Sequence, residues 1–101
     1  MSRLELHEVF CEILESRNAY FQPPESVKMK YPCVKYSFSG MDQKRADDRL
    51  YGARDRYEVI LIEHDPDSAY HAKIMDRFQY CRFERSYTAD NLNHKVYTIY
   101  Y

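Results

Sequence analysis

Apolar residues near the start of the chain recur with the period of an α-helix. Leu6, Val9, Phe10, Ile13 and Leu14 are spaced i, i+3, i+4, i+7 and i+8, so they share one stripe of a helix surface. Glutamates occupy much of the remaining surface. An acidic polar face is repelled by anionic lipid, so we predict that this helix packs on a sheet and does not lie on a membrane.

The bounds of this helix are also indicated by the sequence. Ser2-Arg3-Leu4-Glu5 fits a capping box, with Ser2 as N-cap and Glu5 at the third helical position. We expect the helix to end near Arg17–Asn18. Pro23 and Pro24 then bias the chain toward an extended connection that runs to Pro32.

Two segments in the middle of the chain have the pattern of β-strands. Between Cys33 and Ser39, apolar and polar residues alternate, which is typical of a half-buried strand. Between Arg56 and His64, apolar residues occur on both faces, which predicts a central strand.

The second half of the chain adds a short helix and two more strands. Asp65-Pro66-Asp67-Ser68 is a helix start, in which Asp65 or Asp67 can act as cap, and the helix is expected from Ala69 to Phe78. Strands follow at 80–87 and 94–101, joined by a polar turn. The predicted order is α-β-β-α-β-β. The predicted class is α+β, with an N-terminal helix and a second short helix packed on a mixed or antiparallel sheet of about four to five strands.

Residues 41–55 (MDQKRADDRLYGARD) are strongly polar, and Leu50 and Tyr51 are their main apolar anchors. The segment is too long for a tight turn, so we predict a projecting polar loop or an extended hairpin tip. Such a segment suits an arm that reaches a neighbouring molecule. A solvated, mobile tip is the alternative.

Composition and charge narrow the possible functions. A chain of 101 residues predicts one domain, 1–101. The net charge of −1 argues against a dedicated nucleic-acid binder. The first ten residues contain acidic side chains where a signal peptide has an apolar run, so we do not expect secretion. No uncharged run is long enough to cross a bilayer, so we do not expect a membrane partner. Three cysteines without a paired motif indicate a reducing compartment and buried thiols.

Several residue groups could carry chemistry, but each has a simpler explanation. His64, Asp65, Asp67 and His71 contain metal-ligand types, although helix capping already accounts for the carboxylates. A metal-dependent nuclease could use acidic residues at strand ends, namely Asp47, Asp48, Glu58, Glu63 and Asp67. Cys81 and His94 could form a nucleophile pair. The alternation of basic and aromatic residues at 82–97 could stack single-stranded nucleic acid. None of these patterns is specific, so we assign no catalytic residue, no metal ligand and no cofactor, and we expect that the protein is not an enzyme.

Several stretches of the chain resemble one family of viral proteins. The likeness covers about Tyr20 to Tyr101, and its most specific part is the SYTADNLNH segment at 86–94. It is carried by YFQPP at 20–24, MKYPCVKY at 29–36, RYEV at 56–59, DPDS at 65–68, CRF at 81–83 and SYTADNLNH. These residues are similar to those of the tail terminator, or tail completion, proteins of long-tailed bacteriophages, which are often described only as minor structural or head–tail joining proteins.

The resemblance implies a structural virion protein located in the tail or neck and assembled in the cytoplasm of a bacterial host. Such proteins form a ring, usually hexameric, at the head-proximal end of the tail tube. The ring stops tube polymerisation and docks to the head connector, while DNA passes through without sequence-specific binding. The implied partners are therefore further copies of the chain, the tail-tube protein and a head-completion or connector protein. Another connector or tube protein is the alternative within this class.

Tyrosine is abundant, with 11 residues, and it suits surfaces that become buried on assembly. We expect the subunit or tube contacts to lie on the polar segment and on the last strand. The candidate interface residues are Arg45, Arg49, Tyr51, Arg54, Tyr97, Tyr100 and Tyr101.

Overall fold

The computed structural model describes residues 3–46 and 49–101, with side chains for 3–41 and 54–101. Two helices and five strands are present, which confirms the predicted α+β class. In chain order they are α1 (Arg3–Leu14), β1 (Ala19–Phe21), β2 (Cys33–Ala46), β3 (Arg49–Glu63), α2 (Tyr70–Arg77), β4 (Cys81–Ala89) and β5 (Leu92–Tyr100).

The strands form one sheet with the spatial order β1-β2-β3-β5-β4. β3 is the central strand, as its two apolar faces predicted. β1 pairs in parallel with β2, and the other pairs are antiparallel. The sequence did not indicate β1, because three residues are too few to show a strand period.

Helix α1 ends earlier than the sequence predicted. Its last residue is Leu14, and Glu15 turns into the left-handed region with φ 55°. The amide of Ser16 then donates to the carbonyl of Cys11, which satisfies a carbonyl of the last turn. The chain then leaves the helix and continues into β1.

The main core lies between the two helices and one face of the sheet, here called the helix face. Leu6, Phe10 and Ile74 from the helices meet sheet residues that include Tyr36 and Leu61, and all five are almost completely buried. Burial of these large apolar side chains is the main source of stability. The apolar stripe predicted for α1 is therefore the face that the helix buries.

The opposite face of the sheet, here called the open face, is covered at one end only. Cys33, Ile62 and Leu92 form a small second cluster, and Met29 from the connection before β2 packs against it. At the other end, the face carries the polar groove described below.

The β2–β3 hairpin continues well beyond the rest of the sheet. β5 pairs with β3 no further than Arg56, whereas pairing between β2 and β3 continues from Met41↔Asp55 to Ala46↔Arg49. Residues 41–46 and 49–55 therefore form an arm of two strands, and six residues of strand span roughly 20 Å. The longest dimension of the molecule is 51 Å, against 27 and 23 Å for the other two. Residues 41–55 were expected to form a projecting polar loop or an extended hairpin tip. In the structure they form paired strands on both sides of residues 47–48. Hydrogen bonding between strand backbones does not require apolar side chains, so a polar segment can form such a pair.

A bulge marks the point where the arm leaves the sheet. The register shifts between Phe38 and Gly40, and Gly40 has φ 152°. The Arg56 guanidinium occupies the space that a side chain at Gly40 would enter, and its Nη2 donates to the carbonyl of Ser39 at 2.9 Å. Glycine therefore allows both the backbone conformation and the close approach of Arg56.

Neither helix, in the part of the chain that the structure describes, is long and apolar enough to cross a membrane.

Candidate assembly surface

Three of the candidate interface residues lie together at the base of the arm. The Arg54 guanidinium is 4.4 Å from the centre of the Tyr80 ring, a cation–π contact. The amide of Tyr100 donates to the carbonyl of Tyr80, and the amide of Tyr101 donates to the carbonyl of Asp55, each at 3.0 Å. The start of β4, the end of β5 and the root of the arm therefore meet at one place, here called the arm base.

Tyr100 and Tyr101 point to opposite faces of the sheet. Tyr101 packs against the main core, with its ring 6.1 Å from that of Phe78. Tyr100 pairs with Arg56 across the strands and lines the groove on the open face. Only Tyr100 of this pair lies on the open face.

Tyr97 was expected at the surface, and this expectation is wrong. Its side chain is 0% exposed and lies in the main core. Its hydroxyl is 2.6 Å from Nδ1 of His71, and its ring lies 5.6 Å from that of Phe83. Side chains alternate between the two faces along β5, so Tyr100 lies on the open face and Tyr97 lies on the helix face. Tyr97 therefore cannot contact a neighbouring subunit directly.

Three further interface candidates lie on the arm. Arg45 belongs to β2, and Arg49 and Tyr51 belong to β3. Their side chains are outside the described residues. Asp47 and Asp48, considered above as possible metal ligands, are also outside them.

A polar groove crosses the uncovered end of the open face. It has a volume of about 380 Å³. Its lining comes from β3, β4 and β5, and consists of Arg56, Glu58, Arg82, Glu84, Arg85, Val96, Thr98 and Tyr100. The lining contains three guanidiniums and two carboxylates. A groove of this composition can bind a surface that is polar and predominantly acidic.

Part of the groove is ordered by internal contacts. Glu84 accepts a hydrogen bond from the Thr98 hydroxyl at 3.0 Å and lies 3.5 Å from Nε of Arg82. The Arg82 side chain remains 80% exposed, so its charge is available to a partner. Arg56 is fixed by Ser39, as described above. The sequence analysis did not predict this groove. A signal was present, because charged residues occupy the strand positions that alternate with the buried apolar positions.

Strand β4 lies at an edge of the sheet, and its side chains are largely exposed. Phe83 and Tyr87 are each 42% exposed. A bulge between Phe83 and Arg85 interrupts the ladder, and Arg82, Glu84 and Arg85 bring charges to the strand. Bulges and charges at an edge hinder pairing with another strand, so β4 is a poor template for sheet extension.

The basic and aromatic residues at 82–97 do not form one stacking platform. Lys95 and Tyr97 lie on the helix face, and Lys95 is 3.6 Å from a Glu63 carboxylate oxygen. Arg82 and Arg85 line the groove on the other face. The sheet therefore separates the residues that a single-strand binding site would need together.

Two buried tyrosine hydroxyls each meet a histidine from a helix. Nδ1 of His7, on α1, lies 2.6 Å from the Tyr36 hydroxyl, and His71, on α2, contacts Tyr97 in the same way. Burial, together with the nearby Arg17 and Arg3 guanidiniums, lowers the pKa of His7 below its usual value. Burial raises the pKa of Tyr36 and that of Tyr97 above their usual values. Each contact gives a buried tyrosine hydroxyl a hydrogen-bond partner, so these pairs join the helices to the sheet.

Glu63 is a buried carboxylate at the end of β3, only 2% exposed. Its Oε2 accepts a hydrogen bond from the Ser68 hydroxyl. Its Oε1 has no hydrogen-bond donor among the described residues, and the Lys95 ammonium lies 3.6 Å away. Lys95 also donates to the carbonyl of Pro66 at 3.2 Å. The ion pair therefore ties the connection between β3 and α2 to β5.

The residues considered for metal binding have other local roles. His64 faces the Tyr31 ring at 6.0 Å, and His71 contacts Tyr97. Asp65 accepts from the amide of Asp67 at 2.9 Å, which forms a turn before the helix, whereas the N-cap of α2 is Ala69. Within 3–41 and 54–101, no three His, Cys, Asp or Glu side chains are grouped so that they could hold a metal ion.

Cys81 and His94 are not positioned as a nucleophile pair. Cys81 pairs with Ile99, near one end of β5, whereas His94 pairs with Tyr87 toward the other end. Burial raises the pKa of the Cys81 thiol to about 11, so it is not activated as a thiolate. The His94 ring stacks on Tyr87 with centroids 4.6 Å apart.

Comparison with known proteins gives no family for the chain. No family model matches its sequence. No curated protein matches it either.

Proposed function

We propose that this protein is the tail terminator of a long-tailed bacteriophage and forms a closed ring at the head-proximal end of the tail tube. The observation that carries the proposal is the β2–β3 arm, which runs past the end of β5 and leaves the sheet beside Tyr100 and the groove. The likeness of residues 20–101 to terminator proteins supplies the biological setting.

A ring requires two different surfaces on each subunit. In a closed cyclic assembly, one patch of a subunit contacts a different patch of the next. The arm is one surface that is distinct from the two faces of the sheet, and it extends roughly 20 Å from its base. An elongated subunit with a projecting arm can contact a neighbour, or the tube below it, without rearrangement of its core.

The near-neutral charge suits a ring around a DNA channel. The chain has 15 basic and 16 acidic residues. A strongly basic channel would hold DNA through its phosphates, whereas a balanced one lets the duplex slide. In this role the protein is part of the virion. It ends tube growth, offers a surface to the head connector and performs no catalytic step.

The proposal is tested with purified protein and the matching tail-tube protein. We expect a discrete ring in sedimentation velocity and negative-stain microscopy, and tubes that stop growing once a ring caps one end. A shortened arm, with residues 44–52 replaced by Asn-Gly, should leave a folded subunit that no longer caps tubes, because a two-residue turn closes the hairpin at its base. Asp76→Ala, on the exposed surface of α2, is the matched control and should cap normally.

The main alternative is a different joining or tube protein. Open-ended polymerisation of the purified chain into long tubes would assign it to the tube. A monomer at all concentrations that also leaves tube growth unchanged would contradict the terminator role.

A further inference from the structure

The outer surface of α1 carries an acidic stripe. Glu5, Glu8 and Glu12 are spaced by three or four residues, so they share the side of the helix that faces away from the sheet, and Glu15 follows directly after the last helical residue. All four are exposed. Glu8 is paired with Arg17 through two contacts of 2.9 and 3.0 Å. The exposed carboxylates give this surface an acidic character.

The groove on the open face has the opposite balance. Its three guanidiniums, from Arg56, Arg82 and Arg85, outnumber the carboxylates of Glu58 and Glu84. Lys35 lies on the same face, on the strand next to the groove, because it pairs with Ile60 and Ile60 pairs with Val96. The exposed guanidiniums of Arg82 and Arg85 are placed to meet carboxylates from another molecule.

The two surfaces lie on opposite sides of one subunit, since α1 covers the helix face and the groove is on the other face. A contact between them therefore joins copies head to tail, which is the contact type that a ring needs. The β4 edge offers a different route, but its bulge and charges hinder strand pairing. Face-to-face docking is the contact that these features favour.

We propose that the acidic stripe of α1 docks on the open face of the next copy of the chain, with Glu12 and Glu15 opposite Arg82 and Arg85. This inference rests on the proposed ring and names the surfaces that form it. The occupant is a second copy because the same chain presents both the acidic stripe and a groove with an excess of guanidiniums.

Charge reversal tests the pairing directly. The open-face variant is Arg82→Glu with Arg85→Glu, and the helix variant is Glu12→Arg with Glu15→Arg. Each should weaken self-association about tenfold or more, because like charges then face each other. A variant with all four changes should recover most of the lost association. The measurement is sedimentation velocity across a concentration series at low and high salt, and the wild-type assembly should loosen as salt rises.

The folding of each variant is controlled separately. Circular dichroism and thermal melting establish that each variant is folded. If a reversal unfolds the chain, the neutral pairs Arg82→Gln with Arg85→Gln and Glu12→Gln with Glu15→Gln replace it, and each should weaken association by a smaller factor.

The outcomes separate this inference from the proposed function. If the wild type forms a ring and no charge variant changes it, the ring stands and this contact is wrong. If each charge-reversal variant disrupts the ring but the variant with all four changes does not restore it, the pairing of these two surfaces is wrong. If open-face reversal leaves the ring intact and abolishes only tube capping, the open face binds the tube. If the wild type is monomeric with and without tube protein, both proposals fail.

Discussion

Tyr100 and Tyr101 are adjacent in the sequence but belong to different surfaces. The Tyr101 ring packs on the core beside Phe78, whereas Tyr100 lines the groove opposite Arg56. Strand alternation alone separates them. Removing both together would mix a folding effect with an assembly effect, so the two positions have to be changed one at a time.

We predict that Tyr101→Ala lowers the free energy of unfolding by about 1–3 kcal/mol, because a half-buried aromatic ring is lost from the core. Tyr100→Ala should lower it by less than about 1 kcal/mol and should weaken self-association instead. Urea unfolding measures the first quantity and sedimentation velocity the second. Equal stability losses for the two variants, with no change in association for Tyr100→Ala, would contradict the assignment of Tyr100 to an interface.

His7 gives the protein a pH dependence with a definite sign. Its pKa is lowered in the folded state, first by burial and then by Arg17 and Arg3. Below the unfolded-state pKa of about 6.5, the unfolded chain therefore binds a proton more readily than the folded one. The stability that neutral His7 contributes is present above that pH and decreases as the pH falls toward the folded-state value.

We predict that, as the pH falls below about 6.5, the free energy of unfolding of the wild type decreases more steeply than that of His7→Asn. Asparagine leaves an amide close to the position of Nδ1 but does not titrate. Urea titrations at a series of pH values give both curves. Parallel curves for the two proteins would show that His7 is not the group responsible.

At the scale of elements, the Glu63–Lys95 pair links the end of β3 to β5 and to the connection that precedes α2. A buried carboxylate is costly when its positive partner is removed, whereas an amide of the same shape is tolerated better. The two partners should therefore respond unequally to substitution.

We predict that Lys95→Met lowers the free energy of unfolding by about 3 kcal/mol, because it leaves the Glu63 carboxylate buried without a counter-charge. Glu63→Gln should cost about 1 kcal/mol, since the amide oxygen can still accept from Ser68. The double variant should cost less than the sum. A strictly additive double-mutant cycle would mean that the two side chains are not coupled.

Periodicity predicted the elements with the longest patterns. The stripe of α1 and the two apolar faces of β3 follow directly from residue spacing, so both were recovered from the sequence. β1 was missed because its pairing with β2 is a long-range event that three residues cannot signal. The end of α1 was misplaced because the left-handed turn at Glu15 has no glycine to mark it.

The candidate site was predicted only in part, for a reason of geometry. Arg54, Tyr100 and Tyr101 meet at the arm base because three elements converge there, which sequence spacing does not reveal. Tyr97 was assigned to the surface because its residue type suits an interface, but its position in the alternation places it in the core. The groove was missed because its lining comes from three strands whose order in the sheet differs from their order in the chain.

At the scale of the whole molecule, the chain combines one well-packed core with three outward features: an arm, a polar groove and an acidic helix surface. The helix surface and the groove face in opposite directions, and the arm leaves from the groove end of the sheet. This arrangement is suited to repeated head-to-tail contact, and closure into a ring limits the number of copies.

The most direct test of this account is native mass spectrometry of the purified protein over a range of concentrations, with and without tail-tube protein. We predict a single closed species, six copies in the form that the resemblance implies, whose copy number does not grow with concentration. A monomer under all of these conditions, or a series of oligomers that lengthens without limit, would contradict the account.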